Sequence, residues 1–193
     1  MRLWTILTEA AWKSLNERGY LICDDEALCD EYFLFAYRWI MQQMQERLGP
    51  PEAAVKLPLW AWYQYSGRRK KPIARKHQLP KGQKGYRVEC HLSDEQVLLS
   101  DFTLWHQVLS NWYLPINLAD DEAFDQEFDA IPEDAADRLA QRQSVIEASW
   151  QRIFDLDWYS DYICTPRNQQ AIQACFWRLE MSQVSRSDLF ISR

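Results

Sequence analysis

Leu3-Trp4-Thr5-Ile6-Leu7-Thr8-Glu9-Ala10-Ala11-Trp12-Lys13-Ser14-Leu15-Asn16-Glu17-Arg18-Gly19 sets the architecture near the start of the chain. Residues 3 to 7 are apolar or β-favouring and read as a strand. Thr8 is a helix N-cap residue, Trp12 and Leu15 fall at helical spacing, and Gly19 stands where a helix stops. The stretch therefore predicts strand, short helix, turn. A second helix follows, with Asp24-Asp25 as its cap. Phe33, Ala36, Tyr37, Ile40, Met41, Met44 and Leu48 form its apolar face, and Gly49-Pro50-Pro51 ends it.

Further on the period changes. Residues 57 to 65 read as a strand with rings on both faces, Trp60, Trp62 and Gln64 on one and Ala61, Tyr63 and Tyr65 on the other. Tyr86, Val88, Cys90 and Leu92 alternate with Arg87, Glu89 and His91, the mark of a half-exposed strand. Ser93 to Gln96 reads as a turn and residues 97 to 99 as a short apolar strand. Ser100-Asp101 caps a helix with the stripe Phe102, Trp105, Val108, Leu109 and Trp112. Pro132 opens another that carries Leu139, Ile146, Trp150, Ile153 and Phe154. The last unit reads as a strand over residues 171 to 179, a turn over 182 to 187, and a closing apolar segment, Leu189-Phe190-Ile191. Strands and helices mix without βαβ alternation, so the expected class is α+β, a mainly antiparallel split sheet with flanking helices in a single domain over residues 1–193.

Composition narrows the function classes. The 193 residues are 47% hydrophobic and 26% charged, values of a globular chain with a real core, and 14% are aromatic. With 5 glycines and neither a Walker nor a Rossmann glycine motif, those nucleotide sites are set aside. Five scattered cysteines without a C-x-x-C pair read as reduced, mostly buried thiols, and the three histidines have no metal-site spacing, so no metal is expected. No apolar run is long enough to span a membrane and no signal core is visible, which predicts a cytoplasmic protein without membrane partners.

The net charge of -6 hides a segregation. A basic loop near residues 66–87 holds Arg68, Arg69, Lys70, Lys71, Arg75, Lys76, Lys81, Lys84 and Arg87 and no acid. An acidic loop near residues 116–138 runs from Asp120 to Asp137 without a base. Two solvated loops explain this, and so does a basic loop that meets phosphate. His91 and His106 are general-base candidates, since an ordinary histidine titrates near neutrality.

The combination of Leu3-Trp4-Thr5, Trp12 to Gly19, Tyr37-Arg38-Trp39, Leu59-Trp60-Ala61-Trp62, Ser100-Asp101-Phe102 with Trp105-His106, and Gln173-Ala174 with Phe176-Trp177 resembles a bacterial family known only as a domain of unknown function. The order of opening strand, glycine-ended helix, aromatic central strand and late strand is more distantly similar to the ADP-ribosyltransferase fold.

That second resemblance implies NAD held between two small sheets. It implies an Arg or His on the first strand, a Ser or Tyr on a middle one, and a glutamate on a late strand that favours an oxocarbenium-like transition state. Carried onto this sequence, Arg2 flanks the first strand, Tyr63 or Tyr65 stands on the middle one, and Gln173 takes the glutamate's place without its charge. Glu180 lies seven residues later on the same predicted strand.

The expected catalytic set is Gln173, Tyr63 and His106. The cofactor would meet Arg2, Trp4, Thr5, Trp60, Trp62 and Tyr65, and phosphate would meet Arg68, Arg69, Lys70 and Arg75. The alternatives are a non-catalytic nucleotide or nucleic-acid binding module, in which the same rings stack a base, and a partner protein of the toxin and antitoxin type.

Overall fold

The computed structural model describes residues 1–72, 79–129, 131, 132 and 134–192. These form two compact units, residues 1–99 with 171–193 and residues 100–170.

The first unit begins as the opening stretch predicts, with β1 (Arg2–Thr8) leading into α1 (Glu9–Arg18). The Thr8 hydroxyl accepts the Ala11 N–H at 3.1 Å, and Gly19, at φ 78°, closes the helix by donating to the Leu15 carbonyl. A left-handed cap of this kind suits glycine because it has no Cβ to clash. Arg2 is a residue of β1 itself, where the sequence places it only at the flank. β2 (Tyr20–Leu21) follows. Asp25 and Asp30 cap two single 3-10 turns, Glu26–Leu28 and Glu31–Phe33, and α2 (Leu34–Leu48) starts only after them. The predicted Asp24-Asp25 cap thus belongs to a short turn: aspartates that bond so close to their own backbone favour tight turns.

β3 (Leu59–Gln64), β4 (Lys84–His91), β5 (Leu98–Asp101), β6 (Ile172–Phe176), β7 (Leu179–Glu180) and β8 (Val184–Ile191) complete the strands described. Six of them form one sheet in the order β5-β6-β3-β1-β4-β8, while β2 and β7 pair separately. β1 runs antiparallel to β3 and β4, β6 to β3, and β8 to β4. The protein is thus mixed α+β. The strand predicted over residues 171–179 divides at Trp177-Arg178, so Glu180 sits in the small sheet, opposite Tyr20, and not on the strand of Gln173. The turn predicted over 182–187 is one 3-10 turn and then the start of β8.

One face of the large sheet is apolar. Leu3, Leu7, Ala61, Val88, Cys90, Ala174 and Phe176 pack there with Leu15 of α1 and Leu179 of β7. Trp12 of α1 stacks on Tyr86 of β4 at 4.9 Å. Gly85 of β4 sits where packing is tight: a Cβ there would lie 2.3 Å from Leu79 Cδ1 and 2.8 Å from Phe190 Cζ, so those side-chain ends would have to shift.

The second unit contains α3 (Phe102–Leu109), α4 (Leu118–Phe128) and α5 (Ala136–Ser149), followed by a 3-10 turn, Trp150–Phe154. The Asp101 carboxylate caps α3 as predicted, accepting the N–H groups of Thr103 and Leu104 at 2.8 and 3.0 Å. Trp112, expected on its stripe, lies beyond the helix and is 61% exposed. The expected acidic loop is in large part α4. Asn117 caps it, Asp120 and Asp121 occupy its first turn, where the helix dipole favours negative charge, and Phe124 and Phe128 bury one side. The helix predicted to open at Pro132 starts four residues later.

Candidate functional site

The register of the large sheet aligns five residues across it. Gln173 pairs with Trp62, Trp62 with Trp4, Trp4 with Glu89, and Glu89 with Arg186. Directly opposed residues project to the same face, so this row crosses β6, β3, β1, β4 and β8 on the side away from the apolar cluster. With strands spaced about 4.8 Å apart, Glu89 stands about 10 Å from Trp62.

Around the row, arginines meet rings. Arg2 lies 5.0 Å above the Trp4 ring. The Arg69 guanidinium is 3.5 Å over Tyr63 and 5.8 Å from the Trp4 ring, and it donates to the Arg2 carbonyl at 2.8 Å and to the Tyr63 carbonyl. Desolvation against these rings, with the neighbouring Arg2 charge, lowers its pKa from the usual arginine value. The chain reaches this position through a tight hairpin: Ser66 and Gly67 have positive φ, and Tyr65 and Arg68 bridge across them. Tyr65 meets Trp62 edge-on at 5.3 Å.

Trp62 and Tyr65 are half-buried and offer surface to a ligand, whereas Tyr63, expected in the catalytic set, packs against the apolar cluster on the other face. Trp4 is 3% exposed, sealed beneath the arginines, and its indole N–H donates to Glu89 Oε2 at 3.0 Å. Thr5 is turned to the other face with its hydroxyl on the Trp60 carbonyl at 2.7 Å, and Gln173 is 4% exposed. These three therefore form the wall and not its surface. Trp60 pairs with Cys175, two residues along from the row, and touches Tyr37 edge-on.

Glu89 is half-buried and held in place. Besides the Trp4 indole it accepts the Ser185 hydroxyl at 3.3 Å, and His91 Nε2 stands 3.9 Å from Oε1. It is the carboxylate of the row, and in the sequence it is marked only as one of the polar alternates of β4, beside His91. The pairing of β4 with β1 is what brings it beside Trp4, and alternation along one strand carries no information on that register.

Arg68 and Lys70 are exposed next to Arg69, and Arg75 lies outside the described residues. His106 belongs to the second unit, exposed on α3, with Nδ1 2.8 Å from the Phe102 carbonyl. No group of three or more His, Cys, Asp or Glu arranged to hold a metal ion occurs among the described residues. Likewise no helix among them is long and apolar enough to cross a membrane.

Guanidinium groups beside partly open aromatic faces suit a planar anionic ligand, whose base stacks while its phosphate is gripped by two parallel N–H bonds. Among known proteins, the family model described as Domain of unknown function (DUF3841) matches residues 2–185. No curated protein and no solved structure matches.

Proposed function

Taking as premise that the chain belongs to the DUF3841 family, matched over residues 2–185, we propose that it binds NAD or a related nucleotide along the arginine and aromatic strip of β1 and β3, in an ADP-ribosyltransferase-like sheet. The observation that carries this reading is the Arg69 guanidinium held 3.5 Å over Tyr63 and beside Arg2, next to the half-buried pair of Trp62 and Tyr65. The rings stack a base. Arg2, Arg69 and the adjoining Arg68 and Lys70 meet the phosphates.

Calorimetric titration with NAD, ADP and adenosine tests it. Base stacking contributes about 1–3 kcal/mol, so Trp62→Ala weakens all three ligands by about 5- to 150-fold. Arg69→Ala weakens only NAD and ADP. Absence of binding by NAD and ADP at millimolar concentration overturns the proposal.

A specific observation favours an enzymatic version of the same site. Gln173 has no charge to offer an oxocarbenium-like transition state, but Glu89 shares its row and is fixed by the Trp4 indole. In this version Glu89 supplies the negative charge, the buried Gln173 only backs Trp62 across the strand pair, and release of nicotinamide from labelled NAD is the readout.

A further inference from the structure

The second unit contains a cavity of about 550 Å³ that the nucleotide reading does not use, within the size range of small-molecule sites. Its aromatic lining is Trp112, Tyr113, Phe124 and Tyr162, and its carboxylates are Asp121 and Asp125. A second recess shares Phe124 and Asp125 and adds Phe128 and Asp129. Asp121, Asp125 and Asp129 thus follow one another at intervals of four residues along α4 and its end, a helical rise of about 6 Å each.

The walls are rigid. Tyr113 stacks on Phe124 at 4.2 Å, and the Tyr162 hydroxyl donates to Asp121 at 2.7 Å. Asn111, at φ 55°, exchanges two amide hydrogen bonds with Gln143, and the backbone of Trp112 is tied to Gln107 and Trp150. These bonds fix the bend that holds the Trp112 indole in solvent, 61% exposed at the rim.

The ring faces already receive cations: Arg142 lies 5.5 Å over Phe124, and Arg138 5.1 Å over Phe128. Among the described residues, Arg142 is the one basic residue that lines either recess, against three aspartates. The carboxylates are strung out, not converged as a metal cage would need. We infer that this cavity binds a linear organic polyamine, its ammonium groups matched to the aspartate repeat and its methylene chain lying on the rings, in the groove that Arg142 now partly fills.

Calorimetry of the full chain with spermidine at fixed ionic strength, with magnesium chloride as the control cation, tests this. Asp125→Asn weakens spermidine about fivefold, the loss of one partly exposed charge pair, and Trp112→Ala weakens it about threefold or more. Both side chains are exposed, so the variants fold. Arg142→Ala tightens binding by removing the competing cation, a direction that a purely structural role for the cavity does not give. Spermidine binding no stronger than that of magnesium, or weakening by Arg142→Ala, overturns the inference. Nucleotide titration remains unchanged in all three variants, so this result and that of the nucleotide site are read separately.

Discussion

Replacing Glu89 separates the structural and chemical parts of the row. In Glu89→Ala the Trp4 indole, 3% exposed, loses the carboxylate that accepts its N–H at 3.0 Å. A hydrogen bond to a charged group contributes about 1.5–3 kcal/mol. The cross-strand neighbour Arg186, which keeps its own ion pair with Asp188 at 3.0 Å, loses a second facing acid, a further loss of about 0.2–1 kcal/mol. The expected destabilisation is therefore about 2–4 kcal/mol, and for a chain of 193 residues the melting temperature falls by about 4–16 °C.

Glu89→Gln keeps an acceptor oxygen for the indole and gives up only the charge. Since a neutral hydrogen bond has about half the strength of a charged one, the loss is about 1 kcal/mol, or about 2–4 °C. Urea and thermal unfolding of both variants measure the difference. Equal losses in the two, or no loss in Glu89→Ala, would refute the assignment of this hydrogen bond as what seats Trp4. In the enzymatic version, Glu89→Gln also abolishes nicotinamide release while remaining folded.

Asp101→Ala removes the cap of α3 and the acceptor of the Gln170 amide at 2.9 Å. A loss of about 2 kcal/mol is expected from the cap and the buried amide groups, with Asp101→Asn below about 1 kcal/mol in urea titration. Thiol reactivity and alkaline stability form a linked pair. Burial pushes the Cys90 thiol up to about 12 and holds Cys175 well above the usual thiol value, so at pH 8 a disulfide reagent reaches Cys23, Cys29 and Cys164 first and the other two only on unfolding. Burial also raises the Tyr37 phenol to about 12. Folded-state values above the unfolded ones mean that these groups' contribution is complete below about pH 9 and is lost as pH rises to about 12, which unfolding curves across that window will show.

How much of this could be read from residues alone depended on whether the signal was local. β1, α1 and the Gly19 stop were legible because Thr8 and Gly19 act on their own neighbours. The Asp101 cap and the alternation of β4 were legible for the same reason. α4 was not, because its two buried residues, Phe124 and Phe128, stand among five acids, and their burial depends on Tyr113 and on arginines of α5. β8 is an edge strand whose residues 185 to 187 are all exposed, so it shows little alternation there. The break between β6 and β7 carries no glycine or proline. For the candidate site, the ring-bearing strand and Arg69 were visible, whereas the row that joins Gln173, Trp62, Trp4 and Glu89 is a property of strand register across four strands.

Gly85 has a consequence for how related sequences can diverge. Its constraint lies in two other side chains, Leu79 and Phe190, which occupy the space a methyl group would need. Alanine at 85 therefore needs both neighbours to make room, by a smaller side chain or by rotation, since relieving one leaves the other inside contact distance. The three positions are coupled: a survey of relatives would find replacements of the glycine accompanied by changes at both 79 and 190.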